Sequence, residues 1–313
     1  MMNNRILITG GAGYIGSRLV PLMLDRGYQV TVLDILQYRE PSLLQYCDNK
    51  NFTFIRGDAS DKATLLPLLA KNDIIIPLAA IVGAPACKLN PNTAVSINLD
   101  AVRLLVDNVS SSQRIIYPTT NSGYGIGDGE EFCTEESPLR PLSLYGTTKV
   151  DAEKAILDSG NGITFRLATV FGTSPRMRWD LLVNDFTLRG IQDRCLILFE
   201  QNFRRNFIHI KDVCDTVIYG LDNYETMNND CFNLGLSSAN LTKRELAEKI
   251  KMVIPELVII SSEIGTDPDK RDYIVSNEKL ENTGWTTSYS LEDGISELAM
   301  ASRFVPLKAG SNV

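Results

Sequence analysis

Short apolar runs recur through the first 120 residues and are separated by longer segments with a helical pattern of apolar positions. The runs are rich in Ile, Val, Leu and Phe, and each is followed by small or polar residues, which favours β-strands. The predicted strands are 5–9, 29–33, 52–56, 74–78 and 114–118. Strands that alternate with helices predict an α/β fold built on a parallel, doubly wound sheet.

The turn after the first predicted strand is rich in glycine. It occupies residues 10–16, and a helical pattern follows from Ser17 to Arg26. In a dinucleotide-binding fold, Gly10 would make the tight turn and Gly13 would let the backbone approach a pyrophosphate. Gly16 would let the helix pack on the strand, with its N-terminus directed at the phosphates. This order of elements predicts a Rossmann-type sheet that binds a dinucleotide.

Acidic and small residues end the other strands. Asp34 follows the second strand, where a carboxylate accepts hydrogen bonds from an adenosine ribose diol and repels a 2′-phosphate, which favours NAD over NADP. Ligands of such sheets lie at the carboxyl ends of the strands, so Asp58, Ala79-Ala80 and Thr119-Thr120 are expected around one crevice. Asp58 would meet the adenine amino group there; a simple surface turn is its alternative role.

Tyr145 and Lys149 are four positions apart in a predicted helix, which places their side chains on one face. A free phenol, with a pKa of about 10, is a poor base at neutral pH. A fixed ammonium group beside it, or an oxidised nicotinamide, stabilises the phenolate, which could then take a proton from a substrate alcohol. This spacing occurs in many ordinary helices, so its weight comes from the dinucleotide pattern upstream.

Composition and charge narrow the class of protein. The chain has 313 residues, enough for one large domain or two unequal ones, and a net charge of −7 with scattered basic residues. This argues against nucleic acid or a membrane as the main partner. The N-terminus lacks the apolar stretch of a signal peptide, and the six cysteines form no C-x-x-C pair, which indicates a reduced, cytoplasmic protein. His209 is the single histidine, so neither a metal site nor a histidine-dependent hydrolase is expected.

Together these motifs resemble the extended short-chain dehydrogenase/reductases, and within them the nucleotide-sugar epimerase and dehydratase branch. The resemblance rests on Gly10-x-x-Gly13-x-x-Gly16, Asp34, Asp58, Leu78-Ala79-Ala80, 119–125, Tyr145-x-x-x-Lys149, 205–212 and Gly284-Trp285. It implies that Thr120 hydrogen-bonds the reacting sugar hydroxyl, that Tyr145 is the acid/base, and that Lys149 binds the nicotinamide ribose and lowers the pKa of Tyr145. It also implies an NAD site formed by Gly10, Gly13, Tyr14, Ile15, Gly16, Asp34, Ile35, Asp58, Ala59, Leu78, Ala79, Ala80, Asn98, Thr119, Tyr145, Lys149 and Ala168.

Two departures from that branch limit the reaction. The resemblance places Asn121 and Ser122 where 4,6-dehydratases have an Asp and a Glu. An amide cannot donate a proton as a carboxylic acid does, and a serine is no general base by itself, which argues against dehydration. Ser122 also stands at the Cys position of the epimerase-reductases, which argues against inversion beside a ketone. Chemistry at one carbinol carbon remains, and in this family that carbon is usually C4.

The second half is expected to supply the substrate site. The predicted NAD-binding domain spans 1–172 with a further strand and helix from about 205–240, and 173–313 is mainly a smaller mixed α/β substrate lobe. Arginine forks suit phosphate oxygens. By resemblance Arg205 grips a diphosphate and Arg271 is a second phosphate-binding arginine, while a structural salt bridge is the alternative for both. Expected substrate contacts are Thr120, Asn121, Ser122, Thr169, Arg176, Arg205 and Arg271. For Arg176 and its neighbour Arg178, a place in a solvated loop is the equally open alternative. His209 is expected to be a packed structural residue.

Two further segments, 81–87 and 174–186, resemble a sub-branch of bacterial surface-polysaccharide pathways that includes the GDP-D-glycero-α-D-manno-heptose 4-dehydrogenases of capsule synthesis. This resemblance implies NAD-dependent oxidation of C4 in that GDP-heptose to a 4-keto sugar. A 4-epimerase fits the same residues equally well. The alternative from a different functional class is a non-catalytic NAD-binding sensor. The presence of all three expected catalytic residues, Thr120, Tyr145 and Lys149, argues against a sensor. The expected partner is a small nucleotide sugar, and relatives often form homodimers through the helix that contains Tyr145.

Overall fold

The computed structural model describes residues 5–262 and 271–305. The α-helices are α1 Gly16–Asp25, α2 Lys62–Leu69, α3 Ala84–Leu89, α4 Pro91–Val95, α5 Ala101–Val106, α6 Leu144–Asp158, α7 Leu182–Gln192, α8 Ile210–Asp222, α9 Tyr224–Met227, α10 Lys243–Val253, α11 Glu278–Glu281 and α12 Leu291–Ala301. The strands are β1 Arg5–Thr9, β2 Gln29–Asp34, β3 Phe52–Arg56, β4 Ile74–Pro77, β5 Arg114–Pro118, β6 Phe132–Cys133, β7 Gly162–Leu167, β8 Thr169–Phe171, β9 Cys195–Phe199, β10 Arg204–His209, β11 Asp230–Leu234, β12 Asn240–Thr242, β13 Val258–Ser262 and β14 Ile274–Val275.

In the described part of the chain, seven parallel strands form the central sheet in the order β11-β7-β5-β4-β1-β2-β3. The α/β, Rossmann-type fold is therefore confirmed. All residues of β4 and β7 are buried, as expected for strands covered by helices on both faces. Because β1 lies between β2 and β4, the glycine-rich turn, Asp34 and Ala79 come together at one edge of the sheet.

The smaller lobe is mixed, as predicted. The same described ranges contain a three-stranded sheet, β12-β10-β8, and the two-stranded pairs β13-β9 and β14-β6. The strand expected near residue 205 is β10, which pairs with β8 and β12 rather than joining the central sheet. The chain returns to the central sheet at β11, beside β7.

Ser143 determines where helix α6 begins. The hydroxyl of Ser143 accepts a hydrogen bond from the backbone N–H of Gly146 at 3.1 Å, which caps the helix. The cap places Tyr145 in the first turn, and Lys149 and Glu153 follow at intervals of four residues. These three side chains therefore lie along one face of α6.

None of the helices within residues 5–262 and 271–305 combines the length and the apolar character that crossing a bilayer requires.

Candidate active site

The glycine-rich turn and the loop after β4 are in direct backbone contact. Gly10 has a positive φ of 71°, and a Cβ atom there would lie 2.5 Å from the backbone nitrogen of Ala79. A Cβ atom on Gly16 would lie 2.5 Å from Cα of Gly11, at the start of α1. Only glycine fits at either position, and the N-terminus of α1 is left open to an anionic ligand.

Asp34 lies beside this turn at the end of β2. Its carboxylate accepts hydrogen bonds from the backbone N–H of Ala12 at 2.9 Å and of Leu36 at 2.8 Å. The carboxylate is thereby fixed where a ribose diol would meet it, beside glycines that leave room for a pyrophosphate. This arrangement fits NAD.

The remaining predicted cofactor residues lie at the ends of the same strands. Leu78, Ala79 and Ala80 are half-buried, whereas Ala59, Thr119 and Ala168 are buried and Ile35 is exposed. Asp58 is also exposed, and its Oδ1 accepts hydrogen bonds from the N–H and hydroxyl of Ser60. Asp58 thus stabilises a surface turn, which is the alternative role named for it above. Its second carboxylate oxygen takes no part in these two hydrogen bonds.

Two of the expected cofactor residues, Asn98 and Tyr14, hold neighbouring loops. The Asn98 side chain exchanges hydrogen bonds with the backbone of Ile81 at 2.8 and 2.9 Å, so it shapes the loop after β4. The hydroxyl of Tyr14 donates to the carbonyl oxygen of Gly172 at 2.7 Å. Because Tyr14 follows the glycine-rich turn directly, this bond ties the turn to the segment after β8.

Thr120 and Tyr145 meet at the carboxyl end of β5. Thr120 is close enough to Tyr145 to favour its ionised form, and Thr120 Oγ1 lies 2.8 Å from Ser122 Oγ. Arg271 donates through Nη1 to the same Ser122 oxygen. Burial raises the pKa of Tyr145, while the positive charges of Arg271 and Arg178 oppose that shift. A half-buried phenol among hydroxyls and arginines is suited to gain and lose a proton.

Lys149 lies one helical turn after Tyr145 in α6. Its ammonium group donates to the hydroxyl of Tyr117 at 2.6 Å and to the carbonyl oxygen of Pro118 at 3.0 Å. Only 5% of the residue is exposed, and burial lowers its pKa to about 7, opposed by the Glu153 charge. Lys149 is thus anchored on β5 beneath Tyr145.

Three of the expected substrate residues, Asn121, Arg205 and Thr169, are buried or half-buried. Asn121, 1% exposed, lies next to Thr120, and both polar atoms of its amide lack a hydrogen-bond partner within the described ranges. Arg205 is 3% exposed and donates to the carbonyl oxygen of Arg204. Thr169 is half-buried in β8, opposite Phe207.

Arg176 lies apart from these residues. Its guanidinium covers the Tyr38 ring at 3.8 Å, and its Nε lies 3.9 Å from Glu40 Oε2. Both partners belong to the loop after β2, on the cofactor side. These contacts join Arg176 to the loop that leads away from Asp34, and a substrate contact of Arg176 stays a prediction.

Of the two arginines in the segment before α7, Arg178 is the one whose charge acts on Tyr145. It pairs with Asp180 at 2.5 Å, and its charge counters the rise in the pKa of Tyr145. The sequence places Arg176 and Arg178 two positions apart in a loop, and it offers no periodicity to decide which one faces the tyrosine.

A buried ion pair connects helix α6 to strand β7. Glu153 and Arg166 are joined at 2.7 Å, and Arg166 also donates to the hydroxyl of Tyr124 at 3.0 Å. Tyr124 in turn donates to Asn233 Oδ1 at 2.7 Å. These contacts fix α6 against β7, β11 and the 119–125 motif.

His209 is a packed residue, as expected. Its ring is fully buried and stacks on Tyr289 with centroids 4.7 Å apart, and its Nδ1 accepts from the backbone N–H of Lys211. The described residues contain no cluster of His, Cys, Asp and Glu that could hold a metal ion.

Known proteins resemble the whole chain. It is 28% identical over 307 residues to a low-salt glycan biosynthesis protein of Haloferax volcanii, covering 93% of this chain and 96% of that protein. It is 29% identical over 305 residues to UDP-glucuronic acid decarboxylase 1 of Arabidopsis thaliana, covering 93% of this chain and 68% of that protein.

Solved structures share the fold. The UDP-glucose 4-epimerase of Thermotoga maritima, solved with UDP-glucose, has a TM-score of 0.83 and 22% identity, with 96% of this chain and 99% of that chain covered. The UDP-glucuronic acid 4-epimerase of Bacillus cereus, solved with UDP-glucuronic acid and NAD, has a TM-score of 0.81 and 23% identity over the same shares.

A family match spans most of the sequence. Residues 6–235, which include the glycine-rich turn, Asp34 and the Thr120, Tyr145 and Lys149 site, match the family described as NAD dependent epimerase/dehydratase. The chain therefore belongs to the NAD dependent epimerase/dehydratase family, and NAD is its cofactor.

Proposed function

We propose that this protein oxidises the C4 hydroxyl of a nucleotide-activated sugar and releases the 4-keto sugar. The observation that carries the proposal is the placement of Thr120 at the end of β5 beside Tyr145, with Lys149 one turn further along α6. An amide and a hydroxyl, Asn121 and Ser122, occupy the two positions after Thr120. Acid/base groups for one alcohol are thus assembled at the end of β5.

Each of these side chains has a separate role. Thr120 holds the reacting hydroxyl within reach of Tyr145, whose phenolate removes its proton. Lys149, held by Tyr117 and Pro118, supplies a positive charge below the phenolate and a donor for the nicotinamide ribose. When bound, NAD supplies the hydride acceptor, and Gly10, Gly13, Gly16 and Asp34 would hold its pyrophosphate and adenosine ribose.

The substrate class is argued from the arginines. Arg271 and Arg178 surround Tyr145, and buried Arg205 lies on β10 beside Arg204, which pairs with Asp272 at 3.2 Å. Two arginines that act on the acid/base, together with the buried Arg205 of β10, favour an anionic substrate such as a nucleoside diphosphate sugar. Nucleotide sugars are also named for the decarboxylase relative and for the two epimerase structures. A GDP-heptose is our first candidate because segments 81–87 and 174–186 resemble the GDP-heptose 4-dehydrogenases.

A 4-epimerase is the second candidate, since the same three residues would remove and then return the hydroxyl proton while NAD, when bound, would accept the C4 hydride and return it to the opposite face. The Asn121 amide beside the reaction centre favours neither outcome. The two enzymes differ in whether the ketone leaves before the cofactor is reoxidised.

The test incubates the purified protein and NAD with GDP-, UDP- and dTDP-sugars, including GDP-D-glycero-α-D-manno-heptose and UDP-glucuronic acid. A dehydrogenase accumulates NADH and a product two hydrogens lighter. An isobaric product with inverted C4 and no net NADH identifies an epimerase, and loss of carbon dioxide from the uronic acid identifies a decarboxylase.

The Tyr145→Phe variant separates an enzyme from a sensor. Loss of the acid/base is expected to lower kcat by about 10²–10⁴-fold while NAD still binds. Tyr46→Phe, which alters a ring packed on Phe52 away from the site, is the matched control and should keep the wild-type rate. An unchanged rate in Tyr145→Phe would refute the proposed role of Tyr145.

A further inference from the structure

The loop after β2, residues 35–43, is attached to the glycine-rich turn at both of its ends. At its start, the carboxylate of Asp34 accepts from the backbone N–H of Leu36 at 2.8 Å and of Ala12 at 2.9 Å. Near its end, the hydroxyl of Ser42 donates to the carbonyl oxygen of Ala12 at 2.8 Å. The loop therefore borders the part of the NAD site that takes the adenosine ribose and the pyrophosphate.

The middle of this loop depends on contacts from elsewhere in the chain. Leu36 and Arg39 have positive φ angles of 56° and 58°, which residues other than glycine adopt rarely and keep only where their surroundings hold them. Tyr38 is 45% exposed, and the side chain of Glu40 is 47% exposed. Burial of its own side chains therefore does little to hold this part of the loop.

Arg176 contacts the middle of the loop from the segment between β8 and α7. Its guanidinium carbon lies 3.8 Å from the centroid of the Tyr38 ring, and its Nε lies 3.9 Å from Glu40 Oε2. Only 2% of Arg176 is exposed. A cation that is removed from water binds an aromatic face more strongly than an exposed one does. The contact with Tyr38 is therefore the stronger of the two.

The backbone around Arg176 is fixed to the start of α1. The N–H of Arg176 donates to Ser17 Oγ at 3.2 Å, and Ser17 Oγ lies 2.9 Å from Ser174 Oγ. The hydroxyl of Ser174 donates to the carbonyl oxygen of Tyr14 at 2.6 Å. Arg176 is thus attached to α1 through its backbone and to the loop after β2 through its side chain.

We propose that Arg176 is a positioning residue for NAD, which holds the loop after β2 against the glycine-rich turn and thereby slows the dissociation of NAD at its adenosine end. The contact with Tyr38 must break before the loop can move away from Asp34. The inference rests on the NAD dependence of the family and not on the proposed oxidation of C4. It gives Arg176 a role other than the sugar contact that the sequence predicts.

The test follows the dissociation of the reduced cofactor, so no sugar is needed. Protein loaded with NADH is mixed with excess NAD in a stopped-flow instrument, and the loss of bound NADH fluorescence gives the rate. Arg176→Gln is expected to raise this rate by about 10–30-fold, the value of one desolvated cation–π contact. Tyr38→Leu should raise it by a similar factor, and Tyr38→Phe, which keeps an aromatic face, by less.

Fragments of the cofactor identify the end at which Arg176 acts. Calorimetric titration with ADP-ribose, which keeps the adenosine end and lacks the nicotinamide, should show the same loss of affinity in Arg176→Gln as titration with NAD. Nicotinamide mononucleotide, which lacks the adenosine, should bind wild type and variant with affinities within about twofold. A general loosening of the fold would weaken the binding of both fragments.

Two further variants distinguish a specific contact from an unspecific effect. The double variant Arg176→Gln/Tyr38→Leu should raise the rate by less than the product of the single effects, because both changes remove the same contact. Arg114→Gln is the matched control, since Arg114 lies 4.9 Å from the centroid of the Tyr224 ring at the amino end of β5. That end of the strand is opposite the NAD site, so the rate should not change.

A wild-type rate of NADH dissociation in folded Arg176→Gln overturns the proposal. So does a variant that binds NAD and ADP-ribose normally and raises only KM for the sugar, since this is the behaviour of a substrate contact. If Arg176→Gln does not fold, the half-exposed Tyr38 carries the test, and an unchanged rate in Tyr38→Leu overturns the proposal. If no sugar reacts while dissociation accelerates as expected, the oxidation of C4 is wrong and the role of Arg176 stands.

Discussion

At the residue scale, Lys149 has the most consequential environment in the site. Its ammonium group is buried on β5, and this lowers its pKa from 10.5 to about 7, with Glu153 acting in the opposite direction. Between these values the unfolded chain binds a proton that the folded chain has lost. The free energy of unfolding therefore rises with pH in this window, by up to about 1.4 kcal/mol per pH unit.

We predict that Lys149→Met removes this pH dependence. The difference in free energy of unfolding, wild type minus variant, should increase from pH 7 to pH 9 in the NAD-free protein, measured by urea denaturation. The variant also leaves Tyr117 and Pro118 without their donor, which costs about 1–3 kcal/mol at every pH. The slope, rather than the absolute difference, is thus the readout.

Lys154→Met provides the comparison for this experiment, because Lys154 is on the same helix with a side chain 73% exposed. It should leave the pH slope of the wild type almost unchanged. Parallel pH profiles for wild type and Lys149→Met would mean that Lys149 keeps its proton through the window.

At the element scale, the turn between β1 and α1 depends on the crowding around Gly10. Gly10 and Gly160 both have positive φ, 71° and 78°, but a Cβ atom on Gly160 would meet nothing within 4 Å. Gly160→Ala should therefore lower the free energy of unfolding only by the backbone strain of about 1–2 kcal/mol, and it should leave NAD binding intact.

Gly10→Ala should lower the free energy of unfolding by more than Gly160→Ala does, and it should also weaken NAD binding. The added Cβ would lie 2.5–2.8 Å from backbone atoms of Leu78 and Ala79, which cannot move as a flexible side chain does. Urea denaturation and calorimetric NAD titration of the two variants measure both effects. Equal NAD affinity in Gly10→Ala and the wild type would contradict a cofactor role for this turn.

The elements with local signals could be predicted from the sequence. Apolar runs bounded by polar residues gave strands that differ from the observed ones by at most one residue, because buried parallel strands are continuous apolar segments. The glycine-rich turn and the capped helix with Tyr145 are equally local, since sterics and hydrogen bonds within a few residues determine them.

The features that depend on distant contacts could not be predicted. Asn98 bonds to Ile81 and Tyr14 to Gly172, and neither partner is indicated by the motif that named the residue. The choice between Arg176 and Arg178 depends on how the loop after β2 folds over the first of them. The partners of the Lys149 ammonium group, Tyr117 and Pro118, also lie about thirty residues away along the chain.

At the scale of the whole molecule, Glu297 joins the C-terminal helix α12 to the central domain. Its carboxylate accepts from the backbone N–H of Thr173 at 2.8 Å and from Lys211 Nζ at 2.6 Å, and it lies 3.7 Å from Nε2 of buried His209. Thr173 is adjacent to Ser174, which donates to the carbonyl oxygen of Tyr14 at 2.6 Å. The contacts thus run from the last helix to the glycine-rich turn.

We predict that Glu297→Gln lowers the free energy of unfolding by about 1.5–3 kcal/mol at pH 7, as for loss of a hydrogen-bonded charge in a partly buried site. Burial acts to raise the pKa of Glu297, but the nearby His209 ring and the hydrogen bonds from Lys211 and Thr173 outweigh it and hold that pKa well below its usual range. The stabilisation is therefore complete above the unfolded pKa of 4.5 and is lost as the pH falls through the lower folded value.

Urea denaturation of wild type and Glu297→Gln across pH 3 to 8 tests both the size and the direction of this effect. The difference between the two proteins should be constant from pH 6 to 8 and should shrink below about pH 5. Glu248→Gln is the matched control, because Glu248 pairs with Arg244 at 2.6 Å on an exposed helix face. That pair should contribute about 0.5 kcal/mol or less. A Glu297→Gln variant as stable as Glu248→Gln would mean that α12 is held by its apolar face alone, formed by Leu291, Ile295 and Leu298.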